Sequence, residues 1–131
     1  MKTFTKFISI LIFLFSLTVS AQKTTWLDVD LKETNQSNAV YYKVISDNNK
    51  KVNYFYKGGA IFRKFNCSKR KLVGNFSEFY ETGELRVSGK YENGLEEGIW
   101  KTYYKNGKIK EKGKYKKGEK VGIWKSFYKN F

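Results

Sequence analysis

The stretch of 24 residues from Gly98 to Val121, GIWKTYYKNGKIKEKGKYKKGEKV, constrains this chain more than any other feature, because the chain repeats it. A shift of 24 places lays Gly74 on Gly98, Phe76 on Trp100, Phe79 and Tyr80 on Tyr103 and Tyr104, Gly83 on Gly107, Gly89 on Gly113, Tyr91 on Tyr115 and Gly94 on Gly118. In the other direction Gly122, Ile123, Trp124, Lys125, Tyr128, Lys129 and Asn130 meet identical residues between Gly98 and Asn106. A fainter copy holds Val52, Phe55, Tyr56, Gly59 and Ile61 in the same register. The units are 50–73, 74–97, 98–121 and a partial 122–131. A unit this short buries its apolar side only by stacking on its neighbours.

Within a unit the pattern is that of a β-hairpin. Asn106-Gly107 lies between two alternating runs and predicts a two-residue type I′ turn. That register sets Lys105 against Lys108, Tyr104 against Ile109, Thr102 against Glu111 and Trp100 against Gly113. One sheet face then carries Trp100, Tyr104, Ile109 and Tyr115, and the bare Gly113 leaves room for the Trp100 indole. Phe76 meets Gly89 by the same arithmetic, and Val52 meets Phe65. The opposite face carries Tyr103 against Lys110, Phe79 against Arg86 and Phe55 against Phe62, with Phe127 continuing the series. Two strands per unit space these rings about 10 Å apart, an aromatic stripe among cations. Phe79, Arg86, Tyr103, Lys110 and Phe127, with Lys101 and Lys125 beside them, are the candidate binding residues.

The beginning of the chain has a different character. Lys2 and Lys6 precede an apolar run from Phe7 to Leu17, and Val19 and Ala21 are the small residues preferred before a signal-peptidase cut. Residues 1–21 are therefore predicted to be a secretory signal peptide cleaved after Ala21, the run being too short to span a bilayer. Residues 22–49 are expected to cap the open first edge of the stack, with VYYKVI at 40–45 as a strand and TNQSN at 34–38 as a loop. Cys67 is the chain's one cysteine, so no intramolecular disulfide forms. It occupies the repeat position of Tyr91 and Tyr115, which predicts a small buried hydrophobe.

Charge and missing chemistry narrow the function. The formal net charge is +14, with eleven basic and two acidic residues from Gly98 onward against two and six in the preceding unit. Such an excess attracts anionic lipid, acidic glycan, an acidic protein or nucleic acid, and an export signal disfavours the last. The chain has no histidine and no cysteine pair, so the commonest general base and the usual zinc ligand sets are missing. Glu92, Glu96 and Glu97 are the densest acidic group and fall in a turn between units. These absences predict a protein that is not an enzyme and takes no cofactor, metal or small-molecule substrate.

The run G-I-W-K-T-Y-Y-K-N-G-K-I-K-E-K-G-K-Y-K-K-G from Gly98 to Gly118, with its neighbours at Gly74 and Gly122, resembles the MORN-repeat family in its bacterial variant. Trp26-Leu27-Asp28 and the segment from Ala39 to Val44 look like the stretch that precedes such repeats in exported envelope proteins of the Bacteroidetes type. The resemblance implies an all-β fold, an elongated antiparallel sheet of consecutive hairpins, with roles in protein interaction or membrane attachment and no catalytic residues. Some bacterial members carry an antitoxin label. Together these readings predict a non-catalytic scaffold, periplasmic, outer-membrane-associated or secreted, that binds a protein partner by its sheet face or by an edge strand from Trp124 to Tyr128. Attachment to an anionic membrane or envelope glycan through the basic part is the alternative, and an exported immunity-type protein the third.

Overall fold

The computed structural model describes residues 22–46 and 49–128, so the predicted signal peptide lies outside the described residues. Proline is absent and the repeat runs are rich in aromatic and β-branched residues, which favours strands throughout. Among the described residues nine form: β1 (Lys23–Leu27), β2 (Tyr41–Ser46), β3 (Lys51–Tyr56), β4 (Ile61–Ser68), β5 (Lys71–Phe79), β6 (Leu85–Glu92), β7 (Leu95–Tyr103), β8 (Ile109–Lys116) and β9 (Glu119–Ser126). They make one open antiparallel sheet in chain order, each strand pairing with the next. The all-β hairpin repeat expected from the sequence is the fold. The segment expected to cap the stack supplies β1 and β2, ordinary strands that lengthen the sheet. Its turn is built on Asp28, whose Oδ1 accepts from the backbone N–H groups of Asp30 at 2.9 Å and Lys32 at 3.0 Å.

The turns differ from expectation. At Asn106-Gly107 only the glycine is left-handed, at φ 80°. The Tyr104 carbonyl accepts from Gly107 N–H at 2.9 Å, and Tyr104 N–H donates to the Lys108 carbonyl at 2.9 Å. This is a type I turn closed by a glycine bulge, where a type I′ turn was predicted. The neighbouring unit supplies the reason. Its counterpart of Asn106 is Thr82, a β-branched residue poorly suited to positive φ, so the shared requirement is the glycine at 83 and 107. The type I′ geometry belongs to the turns between units, where Asn93 and Gly94 have φ of 52° and 85°.

That turn is one residue out of step with the strands below it. Trp100 pairs with Gly113 and Thr102 with Glu111 as expected, but Tyr103 pairs with Ile109, and Lys110 is left over as a bulge. The same slip sets Phe79 against Leu85 and Phe55 against Ile61, with Arg86 and Phe62 as the extra residues. The predicted pairs Tyr104 with Ile109, Tyr103 with Lys110, Phe79 with Arg86 and Phe55 with Phe62 are therefore corrected. A one-residue offset reverses which side of the sheet a residue occupies.

One face, the ring face, carries the packing. Tyr54, Phe65, Phe76, Tyr91, Trp100, Tyr115 and Trp124 follow one another, each ring centroid 5.0 to 6.3 Å from the next. Trp100 is only 8% exposed, although nothing among the described residues is layered over the sheet. It lies over Gly89 of the preceding unit, where an added Cβ would come within 2.6 Å of Trp100 Cε3. Trp124 lies over Gly113 in the same way. The bare glycine thus serves the indole of the following strand, whereas the sequence reading gave Gly113 to Trp100. Val52 against Phe65 and Phe76 against Gly89 pair as expected. Cys67, expected to be buried, is only partly so, and burial pushes its thiol pKa up.

Units are buckled together by tyrosines spaced 24 apart. Tyr56, Tyr80 and Tyr104 donate their hydroxyls to the carbonyls of Phe79, Tyr103 and Phe127, at 3.0, 2.8 and 2.9 Å. The bulge residue of each unit lies over that tyrosine. Phe62 packs on Tyr56, the Arg86 guanidinium sits 5.7 Å from the Tyr80 ring and the Lys110 ammonium 5.9 Å from the Tyr104 ring. Beside them Glu78, 5% exposed, accepts from Arg63 at 2.6 Å and pairs with Arg86 at 3.3 Å.

Candidate functional site

The site is built on the other face, by the paired positions of β4 to β9. Lys64 pairs with Ser77, Ser77 with Ser88, Ser88 with Lys101, Lys101 with Lys112 and Lys112 with Lys125. Directly paired side chains share a face, so these residues form one row at right angles to the strands, stepping about 4.8 Å from each to the next. Its last three members are lysines. No ion pair joins Lys101, Lys112 or Lys125 to a carboxylate of the described residues. Like charges placed directly opposite are destabilising.

Around that row the sheet forms a shallow trough of about 480 Å³, lined by Ile99, Lys101, Lys112, Lys114, Val121, Ile123 and Lys125, with the backbone of Gly113 and Gly122. Ile99 and Ile123 are 58% and 81% exposed. A second hollow of about 400 Å³ shares Ile99 and Lys101 and continues over Ser77, Ser88 and Lys90, so the trough runs from unit to unit. The chemistry changes along it from hydroxyls to amines.

The sequence-predicted residues divide between the faces. Lys101 and Lys125 line the trough. Phe79, Tyr103 and Phe127 are on the same face: Lys64 lies 5.6 Å from the Phe79 ring, Lys112 lies 5.9 Å from the Phe127 ring, and the Tyr103 hydroxyl is 3.3 Å from Ser88 Oγ. Arg86 and Lys110 are not with them. Displaced by the bulge, they cover Tyr80 and Tyr104 on the ring face. In place of those cations the aromatic stripe pairs with Leu85 and Ile109.

Lys112 joins Lys101 to Lys125, and the sequence reading missed it. Its place was available, since the register that sets Trp100 against Gly113 also sets Lys101 against Lys112. Among the described residues no group of three or more His, Cys, Asp or Glu could hold a metal. Glu84 is held below the usual carboxylate range, mainly by the Thr82 hydroxyl, which donates to it at 2.5 Å, and it lies away from the trough.

Among the described residues the chain is a single-layer sheet of hairpin units, packed by rings on one face and bearing a lysine-lined trough on the other, which is the build of a repeat protein. Residues 72–93 and 96–117, two consecutive stretches, match the family model described as MORN repeat variant. Repeats of this family generally mediate protein or membrane-lipid interactions and are generally non-enzymatic. No curated protein and no solved structure matches the chain.

Proposed function

We propose that this chain is a non-catalytic scaffold, exported to the cell envelope, that holds a protein partner against the trough of β7 to β9. The observation that carries this reading is the run of Lys101, Lys112 and Lys125, paired directly across three strands with no carboxylate among them. Paired like charges oppose the fold, so a row of three such lysines calls for a counter-charge. An acidic partner removes that repulsion. Export rests on the signal-peptide character of residues 1–21, and a periplasmic, outer-membrane-associated or secreted location follows from it. The exposed Ile99 and Ile123 favour a protein over an envelope glycan, since they reward a partner that brings apolar side chains to meet them.

Capture from an envelope extract of the producing cells tests the reading. The wild-type chain is expected to retain a specific protein at low salt and to release it as screening shortens toward a few Å near 1 M salt. Lys112→Glu is expected to retain little of it. Equal capture by wild type and variant would sink the proposal, and recovery of lipid or glycan alone would turn it toward surface attachment.

A further inference from the structure

We infer that the trough takes an amphipathic, acidic α-helix of the partner, laid across β7, β8 and β9 at right angles to the strands. The inference rests on the reading that this face binds a protein, and it adds the shape and residue pattern of what is bound. The distances select among the conformations a peptide can adopt. Neighbouring lysines of the row are about 4.8 Å apart, and Lys101 is about 10 Å from Lys125. An α-helix rises 1.5 Å per residue, so carboxylates at positions i, i+3 and i+7 stand at about 0, 4.5 and 10.5 Å along one face. Each would meet one lysine. An extended strand repeats its same-face side chains at about 6.8 Å and falls out of step after one contact. A polyproline helix repeats at about 9.3 Å and reaches the outer two lysines while passing over Lys112.

The apolar residues complete the match. Ile99 and Ile123 are both exposed and line the trough beside Lys101 and Lys125. A helix carrying one leucine or phenylalanine at i+4, next to its acidic stripe, would seat that side chain between them, in the manner of a helix in a groove. A chain of uronate sugars has the charge but nothing for these isoleucines to cover. The charge complement is one-sided, since no carboxylate of the described residues lines the trough.

The probe is a synthetic helical peptide on an alanine and glutamine background with Glu at i, i+3 and i+7 and Leu at i+4. Its control has the same composition with the Glu residues spread around the helix. Binding to the whole chain is read by fluorescence anisotropy. The patterned peptide is expected to bind at least about tenfold more tightly than the control, and Lys112→Glu to cost it about tenfold. Ile123→Ser is expected to weaken it severalfold while leaving the unfolding midpoint unchanged.

Equal affinity for the two peptides would overturn the helix and leave the protein-binding face standing, provided both respond to Lys112→Glu. The helix is overturned in the same way if neither peptide binds while capture of an envelope protein still depends on Lys112. Row-dependent binding of polygalacturonate or of vesicles containing anionic phospholipid, with neither peptide bound, would overturn the helix and the protein reading together.

Discussion

Gly89→Ala tests the packing that holds the units together. A Cβ at residue 89 would fall within 2.6 Å of Trp100 Cε3 and closer still to Cδ2 and Cε2, where ordinary contact begins near 3.4 Å, so the indole must move by more than an ångström. Trp100 packs against Phe76, Tyr91 and Tyr115 with centroids 5.5, 5.2 and 5.8 Å away. Each aromatic pair contributes about 0.5 to 1.5 kcal/mol beyond area burial. Loss of two of them costs about 1 to 3 kcal/mol, in line with overpacking generally. Replacing glycine within a strand returns about 0.5 to 1 kcal/mol, which leaves a net loss of about 1 to 2 kcal/mol.

The background decides whether the indole is the cause. Trp100→Ala alone should cost about 3 to 5 kcal/mol, as for a large buried aromatic. With the indole gone, Gly89→Ala has nothing to strike and should be neutral or stabilising by up to about 1 kcal/mol. Urea unfolding followed by far-ultraviolet circular dichroism gives all four corners of the cycle. If Gly89→Ala costs the same with and without Trp100, to within about 0.5 kcal/mol, the indole does not occupy the space above Gly89 and the reasoning fails.

Three further outcomes follow from the same geometry. Tyr80→Phe removes the hydroxyl that donates to the Tyr103 carbonyl at 2.8 Å and should cost about 1 kcal/mol, whereas Tyr103→Phe, with only a 3.3 Å contact to Ser88, should cost less; equal losses in urea melts would deny the buckle. Glu78→Ala strands Arg63 and Arg86 without their shared acceptor and should cost about 1 to 2 kcal/mol, held down because both arginines reach solvent; a change under about 0.3 kcal/mol would show that the cluster adds nothing. Burial raises the phenols of Tyr54 and Tyr91 above their ordinary value near 10, so their contribution is complete below that pH and is lost as pH climbs through the folded values. Tyr91→Phe should therefore flatten the fall in unfolding midpoint above pH 10, and an unaltered slope would refute the assignment.

How much of this was legible beforehand depends on whether a feature is local. The type I′ turn was assigned to Asn106-Gly107 because that dipeptide is the strongest short hairpin signal. The same two letters at Asn93-Gly94 are where the geometry is found. Comparing units would have separated them, since Thr82 cannot serve where a type I′ turn would need it. The consequence reached the site. With the turn closed by a glycine bulge, Lys110 and Arg86 leave the stripe of Phe79, Tyr103 and Phe127 and come to rest on Tyr104 and Tyr80. Lys101 kept its face because it lies below the bulge, in the part of the register that was read correctly, and Lys125 follows it by the 24-residue repeat.

The residues alone, through their 24-place recurrence, were enough to determine a row of antiparallel hairpins, its ring face and the basic charge of its last units, because period and alternation are properties of the chain taken a few residues at a time. Which glycine each indole covers, where each unit sheds its extra residue, and that three lysines line up beside two bare isoleucines were decided only in the assembled sheet. Those depend on offsets of a single residue between strands, and such an offset is set by the packing of one unit on the next.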